Sequence, residues 1–218
     1  MTVPNWHEEP IAKKHNRQGF DCGLIDLNDF LAKYARQAHE SGASKTYVVV
    51  DDTDNTTILG FYTLSPARVD FNLAPELARP ASGGRHPIGG FRLGRLAVSK
   101  ATQRHGVGGE LLIAAARRCV RVSTQVGGSL LLIDAKDQRA ADWYKSYGAL
   151  EIPRAPSRLS CPIPYLLTCE AGWRPDLVKP STRWKTFARG GQRRIRSSGR
   201  SRYATSYCGR AIALQSPQ

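Results

Sequence analysis

Gln103-Arg104-His105-Gly106-Val107-Gly108, running into Gly109-Glu110-Leu111-Leu112, is the stretch of this chain best suited to hold an anion. Its glycines permit unusual dihedrals and close approach of a ligand to the backbone. The N–H groups from Arg104 to Gly109 and the positive end of the following helix would meet a phosphate, with Arg104 adding charge. No Gly-Lys-Ser/Thr closes the loop, so it is not the phosphate loop of the NTPases. Its glycine spacing does not fit the dinucleotide fingerprint either, and no acidic ribose ligand follows at the expected distance.

The neighbouring elements must position this loop. Phe91 to Val98 read as a strand entering it, and Gly109 to Val122 as a helix leaving it, with Leu111, Leu112, Ala115, Ala116, Cys119 and Val122 toward a core. Arg117, Arg118 and Arg121 fall elsewhere on that helix. Upstream, Asp21 to His39 has helical spacing with Asp21 as N-cap. Thr46–Asp51 and Ile58–Leu64 form a hairpin, and a Gly/Pro-rich loop spans 75–90. Downstream come an apolar strand at 129–133, a short helix at 139–147 ended by Gly148, and strand-like sequence to about Cys169. This order predicts an α+β fold, a mixed α/β sheet with one central βαβ crossover.

No window is long and apolar enough to span a bilayer, and the N-terminus lacks the zones of a signal peptide. Five scattered cysteines without a Cys-x-x-Cys argue against a disulfide framework or a metal site, and fit a reducing cytoplasm. The net charge of +14 is uneven: residues 171–218 hold 11 Lys and Arg against one acid, Asp176, and so supply +10. That Gly/Ser/Arg-rich segment reads as a disordered basic tail following a domain at 1–170. It either adds nonspecific RNA affinity or is an extension without a selected role.

The spacing Gln/Arg-x-x-Gly-x-Gly at 103–108 resembles the pyrophosphate loop of the GNAT N-acetyltransferases. The strand Phe91–Val98 before it, and 133–149 with Tyr144-x-x-x-Gly148-Ala149 after it, stand in the order of that fold. Phe20-Asp21-Cys22-Gly23, Leu27-Asn28-Asp29-Phe30-Leu31, Tyr34-Ala35-Arg36-Gln37, Lys45-Thr46-Tyr47-Val48, 60–65 and Arg95-Leu96-Ala97-Val98 resemble more narrowly the GNAT toxins of type II toxin–antitoxin modules. The likeness covers roughly 18–151. It implies a GNAT acyl-CoA N-acyltransferase fold and acetyl-CoA as acyl donor. It further implies acetylation of the α-amino group of aminoacyl-tRNA, which blocks translation, together with a small ribbon-helix-helix antitoxin and a homodimer.

By that resemblance the coenzyme is held by the main chain of Leu96, Ala97 and Val98, by Gln103, Arg104, His105, Gly106, Val107, Gly108 and Gly109, and by Asp137. Tyr144 matches the tyrosine that protonates the departing thiolate, and Tyr147 the position of a packing aromatic. A phenol of pKa about 10 facing a thiol of about 8.5 is a workable donor. No general base is assigned, since α-amines of pKa near 8 are partly neutral in the cell. Contacts to tRNA phosphates would come from Lys33, Arg36, Lys45, Arg92 and Arg95. Strand alternation sends Arg92 and Arg95 to opposite faces. Two other functions fit the same residues: a GNAT enzyme acting on a small amine or a protein N-terminus, and a catalytically idle protein binding nucleic acid through its tail.

Overall fold

The structure is a computed structural model that describes residues 4–74, 76, 79, 86–152 and 155–163. The expected basic tail, and the strand-like sequence beyond 163, lie outside the described residues. In chain order the elements are β1 (Trp6–Pro10), α1 (Ile25–Asp29), α2 (Ala35–Ser41), β2 (Lys45–Asp51), β3 (Ile58–Val69), β4 (Ile88–Val98), α3 (Val107–Val126), β5 (Leu130–Asp134), α4 (Gln138–Ser146), β6 (Leu150–Ile152) and β7 (Ala155–Pro162). The strands form one sheet in the order β1-β2-β3-β4-β5-β7-β6. Among the described strands only β4 and β5 run parallel, joined by α3, which is the expected βαβ crossover. Among the described residues no helix is long and apolar enough to cross a membrane.

Both sheet faces are covered. On one, Tyr62, Leu64, Leu93, Leu131 and Ile133 pack with Leu111, Leu112, Ala115 and Cys119 of α3 and Tyr144 of α4. On the other, Val48, Val50, Phe61 and Ala97 pack with Phe30, Leu31 and Ala35. Arg118 does not stay on the outer surface of α3. It crosses to the sheet, stacks 3.6 Å above the Tyr47 ring, and donates to Glu8 (2.8 Å) and to the Tyr62 hydroxyl (3.1 Å). The Tyr62 phenol in turn donates to Glu8 at 2.5 Å. Burial and the Glu8 carboxylate hold that phenol well above its ordinary pKa. The network ties β1, β2, β3 and α3 together beneath the helix.

The first helix departs from expectation. Asp21 is not its cap: the carboxylate accepts from the N–H of Gly23 (2.8 Å) and from Asn28 (2.9 Å), and Gly23 takes φ +88°. Helix therefore begins only at Ile25. It passes through a π-helical turn, Phe30–Tyr34, before resuming as α2.

One irregularity shapes the molecule. Thr63 pairs with Arg95 but Leu64 with Leu93, so Gly94 is an extra residue in β4. Such a bulge shifts the alternation of side chains by one. Leu93 thus packs on the α3 side, while Ala97, four residues on, packs on the α1–α2 side. Pairing of β4 with β5 also stops at Leu93–Ile133, and beyond it, among the described residues, β4 pairs with β3 alone. The sheet opens between β4 and β5 from Gly94 onward.

Candidate active site

The opening forms a cleft of about 850 Å³. From the α3–α4 side it is lined by Gly106, Gly108, Gly109, Trp143, Tyr144 and Tyr147, and from the other side by Gly23 to Leu27 and Arg95. Leu96 and Val98 line it from β4.

The glycine loop is built as its glycines require. Gly106 caps α3 with φ +84°, and Arg104 also takes a positive φ, +66°. The carbonyl of Gly106 accepts from the N–H groups of Gly109 (2.9 Å) and Glu110 (3.2 Å). The N–H groups of Arg104, His105, Gly106, Val107 and Gly108 make no hydrogen bond among the described residues. Five successive open donors at the positive end of a 20-residue helix are suited to cradle an anion, and Arg104, Gly106 and Gly108 among them line the cleft.

The glycines also admit α4. A Cβ on Gly108 would lie 3.6 Å from Trp143, and one on Gly109 only 2.5 Å from the Tyr147 hydroxyl. Trp143 packs against Tyr144 (4.9 Å between ring centres) and Tyr147 (4.8 Å). Tyr144 is 9% exposed. Its hydroxyl makes no hydrogen bond among the described residues, and the residue lines the cleft. Burial, then the neighbouring Cys161, push its pKa up to about 12, so the phenol keeps its proton at neutral pH. Cys119, pushed up to about 12 by burial, is no nucleophile at neutral pH.

The other expected coenzyme residues divide by what their side chains do. Ala97 and Val107 are buried in the two cores and do not line the cleft. His105 turns its Nδ1 to the Gln103 carbonyl at 2.8 Å and does not line the cleft. Gln103 lines the cleft, but its amide nitrogen is held by the carbonyls of Cys22 (2.9 Å) and Val98 (3.0 Å). Asp137 also lines it, and its carboxylate caps α4 through the N–H of Ala140 (2.8 Å).

The expected cationic cluster is not brought to the cleft. Lys33 pairs with Asp29 (2.8 Å), Arg36 pairs with Glu40 (2.6 Å), and Lys45 donates to the His39 carbonyl (2.8 Å); none of the three lines it. Arg92 and Arg95 do not face opposite ways, because the bulge at Gly94 restores them to one face. Arg92 is taken up by Asp134, which also accepts from Arg158 at 2.8 Å. These two hydrogen bonds outweigh the upward push of burial and hold the Asp134 carboxyl below its usual pKa.

Arg95 does line the cleft, with its guanidinium 3.7 Å over the Phe30 ring and no carboxylate partner among the described residues. Burial, then Arg92, lower its pKa, which still leaves a guanidinium charged. Three further lining cations, Arg104, Lys136 and Arg139, also lack an ion pair among the described residues. Lys136 and Arg139 were not singled out in the sequence. Their signal was their place in the strand-to-helix turn that carries Tyr144.

The fold and cleft together are those of a GNAT N-acyltransferase. The chain resembles the structure of a tyrosine-to-phenylalanine mutant of KacT (25% identity, 75% of this chain and 98% of the other, TM-score 0.70). It also resembles that of AtaTR bound with acetyl-CoA (25% identity, 75% and 96%, TM-score 0.63). Among curated proteins it is 27% identical to the probable toxin TacT of Sinorhizobium fredii over 163 residues, covering 71% of this chain and 90% of that one. It is 31% identical over 149 residues to the tRNA-acetylating toxin of Mycobacterium tuberculosis, covering 68% and 87%. No protein-family model matches the chain. On these similarities the chain belongs to the family of tRNA-acetylating GNAT toxins.

Proposed function

We propose that this enzyme transfers an acetyl group from acetyl-CoA to the α-amino group of an aminoacyl-tRNA, and so blocks translation. One observation carries the reading: Arg104, Gly106 and Gly108, whose N–H groups make no hydrogen bond among the described residues, share with Tyr144 one cleft in the split between β4 and β5. The cradle suits the pyrophosphate of the donor, and Arg104, Lys136 and Arg139 suit its remaining negative charge. Gly94 to Val98, paired on one side only, present a strand edge that an amide-containing arm can extend.

Tyr144 gives its phenolic proton to sulfur as the C–S bond breaks and the amine nitrogen takes the acetyl carbon. The surplus proton of the amine passes to water, from which the phenolate is refilled. A phenol at about pKa 12 is a weak acid; it serves because proton transfer accompanies departure of sulfur rather than preceding it.

Arg95, without an ion pair among the described residues and seated on Phe30, is the cation for the acceptor's phosphates. The same reading brings a ribbon-helix-helix antitoxin, a homodimer and a cytoplasmic place of action. The test is incubation with labelled acetyl-CoA and either charged or uncharged tRNA. Label entering only the charged tRNA supports the reading, and label found on free amines or proteins instead overturns it.

A further inference from the structure

The α1 side of the cleft leaves two apolar side chains uncovered. Leu24 is 37% exposed and Ile25 is 71% exposed, and both line the cleft. Their segment is nevertheless fastened. Asp21 accepts from Lys100 (2.7 Å), from Gly23 and from Asn28, and the Lys100 N–H donates to the Asp21 carbonyl (2.8 Å). Gln103 joins the Cys22 and Val98 carbonyls. Lys100 and Gln103 belong to the segment between β4 and the phosphate cradle, so the apolar wall is tied to the donor's side of the site. Beside it, Asp26 lines the cleft with no hydrogen bond or ion pair to its carboxylate among the described residues.

We propose that Leu24 and Ile25 form the subsite for the side chain of the aminoacyl group, and that the enzyme selects apolar amino acids and rejects acidic ones. This rests on the aminoacyl-tRNA reading above. The cradle and Tyr144 occupy the α3–α4 side, so the acceptor enters from the side of α1 and Arg95. The α-carbon is one bond from the attacking nitrogen, so its side chain stays within the cleft. There the wall offers it apolar surface, and Asp26 repels a carboxylate while attracting the α-ammonium group.

The experiment charges one tRNA body in turn with isoleucine, leucine, methionine, serine and aspartate, and measures kcat/KM for wild type and for a Leu24→Ser, Ile25→Ser double variant. Both positions are exposed, so the variant keeps its core. Wild type should favour the apolar group over serine and aspartate by about tenfold or more, the scale of a few buried methylenes. The variant should compress the apolar-to-serine ratio severalfold with an unchanged KM for acetyl-CoA. Acetylation without apolar preference, or a preference the variant retains, overturns this subsite and leaves the aminoacyl-tRNA reading standing. Failure to acetylate any charged tRNA overturns both.

Discussion

Replacing Tyr144 by phenylalanine removes one oxygen and, on this account, the acid that the transfer requires. The hydroxyl makes no hydrogen bond among the described residues, so no partner is orphaned, and the ring keeps its edge contact with Trp143. Stability at neutral pH should therefore move by less than about 0.5 kcal/mol. Acetyl-CoA affinity should also hold, because the five cradle N–H groups are untouched. The rate should fall by about 10²- to 10⁴-fold, the usual contribution of a placed general acid.

A second signature lies at high pH. The buried phenol titrates at about 12, against about 10 in an unfolded chain. Between these values the unfolded chain loses a proton that the folded one keeps. Tyr144 thus lowers stability as pH rises from about 10, by on the order of 2 kcal/mol at pH 12, with no effect below about pH 9. Tyr144→Phe should remove that loss. The assays are label transfer to charged tRNA, calorimetric titration with acetyl-CoA, and urea unfolding at neutral and alkaline pH. A variant retaining more than about a tenth of the wild-type rate would refute the assignment, given the magnitude expected of a general acid. So would a rate lost only in step with coenzyme affinity.

Three further outcomes are expected. Gly109→Ala places a Cβ 2.5 Å from the Tyr147 hydroxyl; displacing that ring should cost about 1–3 kcal/mol in urea unfolding, as overpacking usually does. Tyr62→Phe removes a donor to Glu8 and an acceptor from Arg118, which should cost about 2 kcal/mol in the same assay and leave kcat unchanged. Arg95→Ala should raise KM for tRNA, leave KM for acetyl-CoA unchanged, and reduce the log–log salt slope of tRNA binding by about one unit.

The order of strand, glycine loop and helix that builds the cleft was legible in the residue order. A glycine loop between a strand and an apolar-faced helix also fits a plain helix-capping turn, and the tyrosine segment after it gives it direction; the helices and strands around it fell within a few residues of their expected bounds. What escaped was set by tertiary contacts. The bulge at Gly94 reversed the parity of β4, and a lone glycine in a strand does not say which way its neighbours will turn. Asp21 has the residue type of a helix cap, yet Lys100, 79 residues away, and the turn at Gly23 claim it. Lys33 and Arg36 are taken up by Asp29 and Glu40, one helical turn away, as i,i+4 neighbours of opposite charge can be. Lys136 and Arg139 line the cleft from the turn into α4, whose Trp143 and Tyr147 pack on Gly108 and Gly109 of α3.

The central claim is that the acetyl group passes to the α-nitrogen of an amino acid esterified to tRNA. Its most direct test is mass spectrometry of the terminal aminoacyl-adenosine, released by nuclease from charged tRNA after incubation with the enzyme and acetyl-CoA. The account predicts an acetyl group on the α-amine in the wild-type reaction and none with Tyr144→Phe. Acetyl found on the nucleobase or ribose, or an α-amine left unmodified while acetyl-CoA is consumed, would contradict it.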